Sequence, residues 1–228
     1  MPIMYEIESR IPESTYDETY SHLLEVKERS QGRLARIKDA FMAYTEIGRP
    51  LGLQEGMTLL DIGSGIGRPG HYLRHLGVET VNLDVNVAAH TGARDVWGYP
   101  QRGNFQLVGD GSLSIPLKSG SIDAISSQDF LEHIAPDRLA DVLTEMGRVL
   151  KGDKMMHRVT VTEEPENLYN DETHQTFWSA SEWKDWFEEQ GWTTVAPTTR
   201  KTYAPHANPF GLTEYCHGYF LLERTPEN

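Results

Sequence analysis

Only one of the 228 residues is cysteine, Cys216. That excludes a disulfide framework within the chain and a multi-cysteine metal site. A lone thiol in a final strand reads as a core residue, not a covalent nucleophile. No apolar run approaches the ~18 residues that would span a membrane. The opening stretch MPIMYEIESR has neither the basic nor the apolar region of a signal peptide, so a cytoplasmic location is expected. Basic residues are also scarce. Lys and Arg number 21 against 34 Asp and Glu, a formal net charge of −13. An acidic surface repels phosphate backbones, and the densest basic stretch, Lys27 to Lys38, is interleaved with acids. Nucleic acid is therefore not an expected partner. Internal repeats and low-complexity segments are lacking too. The length suits one α/β domain with a substantial core.

Glycine is what the chain has in a telling place. In LLDIGSGIGRPG (59–70), two leucines run into Asp61, and glycine then falls at 63, 65, 67 and 70. This reads as a buried strand, a tight turn and the first turn of a helix. Bare backbone lets a ligand approach, and a helix N-terminus offers it unpaired N–H groups. A second apolar run, VETVNLDV (78–85), ends at Asp84, 23 positions after Asp61. That is near the ~20 expected for a carboxylate meeting ribose hydroxyls. FQLVGD (105–110) ends at Asp110, and SIDAISSQDF (121–130) runs into the Gln128–Asp129 pair. In a parallel sheet the strand C-termini share one edge, and ligands bind there. The residues point to a nucleotide-like cofactor.

The remaining pattern alternates. Residues 14–48 show helical spacing, with Gly32 a break between two helices. Strands are expected at 59–62, 79–84, 105–108, 122–126 and 155–162. Helices are expected at 68–76, 87–95, from 129, and at 136–149. SEWKDWFEEQ (181–190) reads as an amphipathic helix capped by Ser181 and closed by Gly191. Two last strands, 192–196 and 215–223, flank a long loop, PTTRKTYAPHANPFGLTE (197–214), expected to act as a lid. The expected fold is a doubly wound, mostly parallel seven-stranded Rossmann-like sheet with a C-terminal antiparallel hairpin. Residues 1–50 would form a helical cover over it, with Tyr16 or Tyr20 as lid contacts. Residues 51–228 would form the core.

Together these residues resemble the class I methyltransferases that use S-adenosylmethionine, in the group acting on small molecules such as sugars, quinones and natural products. DIGSGIG (61–67) resembles that family's first motif, LDV (83–85) its second, and VGDGSLSIPLKSGSIDAISSQDFLEHI (108–134) its third and fourth. One departure is Lys151-Gly152-Asp153-Lys154, where the family usually has a Pro-Gly-Gly turn. The resemblance implies S-adenosylmethionine as cofactor. Asp61 would orient the loop and meet the ammonium group, and Gly63, Ser64, Gly65 and Gly67 would let the backbone approach. Asp84 would accept from both ribose hydroxyls, Asp110 from the adenine amino group with Gly111 against the ring, and Gln128 would lie near the methionine part. Two alternatives stay open: a nicotinamide oxidoreductase, whose fingerprint uses the same glycines, and a protein that binds the cofactor without catalysis.

Methyl transfer needs alignment, exclusion of water and, for a hydroxyl acceptor, a base. The histidines at 133, 157, 174 and 206 are the bases considered. His174, in NDETHQTFW (170–178), is preferred, with His133 second. Asp129, Glu132 and His133 would share a helical face if a helix began at 129. The trio resembles Glu-x-x-Glu-His in metal-using quinone O-methyltransferases, so a divalent ion there is one expectation and simple packing the other. Acceptor walls are expected from Glu163, Glu164, Tyr169, His174, Trp178, Arg200, Tyr203 and His206. The expected partner is a small-molecule acceptor, with a homodimer left open.

Overall fold

The computed structural model describes residues 33–97, 103–162, 173–204 and 213–225. Helix α1 (Arg33–Met42) runs directly into a π-helical turn, Ala43–Gly48. The expected helices before residue 33, with Tyr16 and Tyr20, lie outside the described residues. Then come β1 (Thr58–Ile62), α2 (Arg68–Leu73), β2 (Glu79–Asp84), α3 (Val87–Trp97), β3 (Asn104–Val108) and β4 (Ile122–Gln128). They are followed by α4 (Leu139–Val149), β5 (Leu150–Thr160), α5 (Ala180–Glu189), β6 (Trp192–Ala204) and β7 (Thr213–Arg224).

The seven strands form one sheet in the order β3-β2-β1-β4-β5-β7-β6. β1 to β5 pair in parallel, while β7 enters antiparallel between β5 and β6. The order reverses between β1 and β4, where doubly wound sheets open a crevice at the strand C-termini.

Two faces result from the period of two along each strand. The back face is apolar. Leu60, Ile62, Ile125, Met155, Val159, Phe220 and Leu222 pack there against Val142, Leu143 and Met146 of α4 and Trp183 and Phe187 of α5. The front face carries a smaller core, in which Leu59, Ala124, Met156 and Tyr219 meet Ala43, Ile47, Leu51 and Leu73. The π turn is thus seated on the sheet, and it brings Glu46 under cover with it.

Four expectations need correction. The helix expected from 129 is a single 3-10 turn, Leu131–His133, because Asp129 takes a left-handed backbone (φ 53°) that breaks a helix. The Lys151–Lys154 segment is no turn but the start of β5, which slips register against β4 between Ile122 and Ala124. Residues 197–204 and 213–214 are strand, not lid. β6 and β7 extend as a long hairpin, and only the segment between them lies outside the described residues. Finally, α5 is capped by Ser179 instead of Ser181. Its side chain accepts from the Glu182 N–H, and Glu182 reaches back to the Ser179 N–H at 2.8 Å.

Losing that reciprocal cap leaves two backbone donors without their partners. Ser179→Ala should lower unfolding free energy by about 1 kcal/mol, read as a fall of roughly 2–4 °C in melting temperature. An unchanged melting temperature would mean that the tryptophan packing of α5 alone holds its first turn.

Candidate functional site

The glycine run does what its spacing suggests. Gly63, Gly65 and Gly67 all adopt positive φ, at 65°, 55° and 69°. The loop is tied to the end of β2. Gly63 N–H and Ser64 N–H both donate to the Leu83 carbonyl, at 2.9 and 3.2 Å. Gly65 N–H donates to Asp84 Oδ2 at 2.7 Å, and Asn86 N–H donates to Asp84 Oδ1 at 2.9 Å. The Asp84 carboxylate is therefore held at the strand end, facing the loop.

Asp61 lies one strand over. It is buried, and its Oδ1 accepts from the Ser126 hydroxyl at 2.7 Å. Burial pushes its carboxyl up to about 7; the Ser126 bond pulls the other way, and the charge of Asp84 adds to the rise. The Asp110 side chain accepts from Ser112 N–H and hydroxyl at 2.8 and 2.6 Å, shaping the turn after β3. Within that turn Gly111 is packed so closely that a Cβ would stand 2.7 Å from Ile62 and 3.6 Å from the Phe130 ring. Phe130 also closes on Gly63, where a Cβ would meet it at 3.0 Å. Gln128 ends β4, beside Arg158 of β5. Phe130 thus links the first glycine loop to the Gly111 turn across the crevice.

A second cluster gathers at the ends of β4, β5 and β7. Asp129 pairs with Arg158 through both guanidinium nitrogens, Nε at 3.0 Å, and its own N–H donates to the Arg158 carbonyl at 2.9 Å. His217 Nε2 approaches Asp129 Oδ1 at 3.4 Å. Burial would raise the Asp129 pKa, but the charge of Arg158 and hydrogen bonds from His217 and Arg158 outweigh it and hold the acid ionised. The Arg200 guanidinium lies 5.0 Å from the centre of the Tyr219 ring and pairs with Glu46 of the π turn at 3.1 Å. Two acids and two arginines therefore line the front of this edge.

The expected metal trio does not form. The carboxylate of Asp129 is spent on Arg158 and His217. Glu132 is buried; Oε1 accepts from Thr160 N–H at 2.8 Å, and burial followed by the Asp129 charge raises its pKa. His133 Nδ1 is 2.9 Å from the Thr173 hydroxyl. Without a helix from 129 the three do not share a face. Among the described residues no group of three His, Cys, Asp or Glu is placed to hold a metal ion.

The histidines separate clearly. His133 and His174 lie together, ring centres 4.7 Å apart. The 173–176 segment is clasped to the 3-10 turn, since Gln175 N–H and Thr176 N–H both donate to the Glu132 carbonyl at 2.8 and 3.0 Å. His157 is on the back face, stacked on Phe187 and 2.8 Å from the Ser127 hydroxyl. Burial lowers it to about 3, so it stays neutral within the core. Trp178 packs against Trp183 at 4.9 Å and belongs to the back-face core instead of an acceptor wall. Glu163, Glu164, Tyr169 and His206 lie outside the described residues. Arg158, His217 and Glu46 were missed. Strand alternation along KMMHRVT places Arg158 on the front face with Met156, and that was the available signal.

Comparison with known proteins places this fold and edge in one family. Residues 27–196 match the family model described as a methyltransferase domain, and the chain belongs to that family. It is an S-adenosylmethionine-dependent methyltransferase, and the nicotinamide alternative falls. Solved structures of such enzymes superpose along most of the chain. One from Methanosarcina mazei is 18% identical, with a TM-score of 0.62, and covers 77% of this chain and 95% of its own. One from Aquifex aeolicus is 20% identical, with a TM-score of 0.57, covering 87% and 97%. A Haloferax volcanii methyltransferase chain, solved with the Trm112 methyltransferase activator, is 20% identical at a TM-score of 0.62, covering 83% and 94%. In sequence, a botryococcene C-methyltransferase from Botryococcus braunii is 34% identical over 110 residues, 44% of this chain. The chain spans about a quarter of that relative, 27% of its length.

The residues present fit the cofactor. The loop backbone is bare, Asp84 is fixed at the strand end, and the space beside Gly63 and Gly111 is one that a Cβ would fill.

The raised Asp61 pKa has a consequence for stability. A carboxyl raised on folding contributes stability that is complete below its unfolded value, ~4, and is lost as pH rises through about 7. The ligand-free protein should therefore lose stability between pH 5 and 8 relative to its own Asp61→Asn variant, measured by urea unfolding. Parallel pH curves for the two would show that Asp61 ionises freely in the fold.

Proposed function

We propose that this enzyme methylates a hydroxyl oxygen of a small molecule of the sugar, quinone or natural-product type. The observation carrying this reading is the set of proton-handling side chains around the strand ends. The His133–His174 pair stands on the turn that follows β4, and Asp129, Arg158 and His217 meet where β4, β5 and β7 end. A hydroxyl must lose its proton to become a competent nucleophile, and imidazole is suited to take it near neutral pH. When bound, the cofactor supplies a methyl group on a cationic sulfur, which needs alignment more than activation.

In this reading Asp61, Gly63, Ser64, Gly65 and Gly67 hold the amino acid portion of the cofactor. Asp84 accepts from the ribose hydroxyls, Asp110 and Gly111 take the adenine, and Gln128 lies by the methionine part. His174 removes the acceptor proton, with His133 behind it to hold its ring. Asp129 is kept ionised by Arg158 and orients polar groups of the acceptor. The C-methylation named for the Botryococcus relative is that protein's property, and carbon is here an outcome of the test.

The experiment offers methyl-labelled S-adenosylmethionine with panels of sugars, phenols, hydroquinones and amines, and locates the label by mass spectrometry. O-methyl products support the reading, and label on nitrogen or carbon overturns the hydroxyl assignment. On an accepted hydroxyl substrate, His174→Ala should lower kcat by about a hundredfold while S-adenosylhomocysteine affinity stays unchanged.

A further inference from the structure

The front face of the sheet carries a row of polar side chains that the cofactor reading leaves unexplained. Strand register sets Gln106, Asn82, Asp61 and Ser126 side by side across β3, β2, β1 and β4. Asn104 and Thr80 form a second pair one step nearer the strand N-termini. Asn82, Asp61, Ser126, Thr80 and Asn104 are buried. Parallel strands covered on both faces are ordinarily apolar throughout, so a polar row here is costly to keep.

The orientation of Asn82 is determined. Its amide nitrogen donates to Asn104 Oδ1 and to the Phe105 carbonyl, the latter at 3.0 Å, which uses both protons. Oδ1 must then point the other way, up at α2. A Cβ on Gly67 would stand 3.0 Å from it, and a Cβ on Gly70 only 2.7 Å. Asn82 Oδ1, Thr80 Oγ1 and both polar atoms of Gln106 are buried without a hydrogen-bond partner. A buried polar group left unpaired calls for an explanation, and strain kept for function is one.

Bare glycine backbone is what fits over that oxygen. The height of the loop exit and of the first turn of α2 above the sheet is therefore set by Asn82. We propose that Asn82, oriented by Asn104, is a positioning residue for the cofactor. It fixes how far the Gly63–Gly67 loop stands off the sheet, and so where the loop N–H groups meet the amino acid portion of the donor. The inference rests on the proposed placing of that portion against the loop.

The test compares two probes by calorimetry: S-adenosylhomocysteine, and methylthioadenosine, which lacks the amino acid portion. Asn82→Leu should weaken S-adenosylhomocysteine about tenfold, near the worth of one hydrogen bond, and leave methylthioadenosine unchanged. Its melting temperature should hold or rise, since an unpaired buried oxygen is removed. Equal loss for both probes, or no loss for either, overturns the proposal. Should Asn82→Leu fail to fold, Gly70→Ala presses on the same oxygen from α2 and must give the same selective loss. Gly63→Val is the control. If it weakens S-adenosylhomocysteine selectively while Asn82→Leu does not, the role of Asn82 alone is wrong. If it leaves the ratio of the two affinities unchanged, the placing of the amino acid portion fails and the proposal falls with it.

Discussion

Three hydrogen bonds tie the glycine loop to the end of β2, two to the Leu83 carbonyl and one to Asp84 Oδ2. Much of the cofactor edge depends on this tether. It forces the chain leaving β1 to turn back over its neighbour within a few residues, which left-handed glycines allow. It aims the start of α2 at the crevice. It also fixes the Asp84 carboxylate, which would otherwise sample several rotamers. The same carboxylate thereby organises the loop and stands ready for a diol, and the two tasks need the same geometry. Since loop and acid come from adjacent parallel strands, sheet register governs both.

The cofactor half of the site was legible in the sequence for this reason. Close backbone approach leaves no freedom of residue type at Gly63 and Gly67, and acids at strand ends mark the shared edge. The strand order follows from alternation and crossover handedness. The acceptor half was less legible. Asp129, Arg158 and His217 belong to three strands far apart in the chain, and no local spacing joins them. The error at 129 has a definite cause. DFLEHI has helical periodicity, but pairing with Arg158 through side chain and backbone holds Asp129 in a left-handed conformation, and a tertiary contact overrides local preference. The same trio that looked like a metal set is thereby dismantled. The loop at 197–214 was misjudged because Pro197 and the polar run beyond it suppress the strand signal. The strands continue past a register shift between Val195 and Thr198, where Ala196 takes positive φ.

The two faces divide the work. The back face has the stacked aromatics of α5 with Phe220, and a histidine made inert by burial. Its dense packing provides a rigid floor. The front face gives up much of that apolar burial to Asp61, Asn82, Ser126, Arg158 and Glu46. Each of these is tied to a partner on a different element, so the polar face gains specificity of arrangement where it loses apolar contact.

Asp129 shows why the arrangement holds. A non-glycine residue at positive φ is strained, and its carboxylate would repel Glu132 if both were ionised. Arg158 addresses both problems. Its carbonyl accepts the Asp129 N–H and steadies the backbone, while its guanidinium neutralises the charge. Glu132, buried with a raised pKa, remains protonated and adds no second negative charge. Its backbone carbonyl can then serve as the anchor for Gln175 and Thr176, which carry His174 to the edge. The position of the proposed base thus depends on an ion pair two strands away. A change at Arg158 would reach His174 through backbone and charge, without touching the glycine loop.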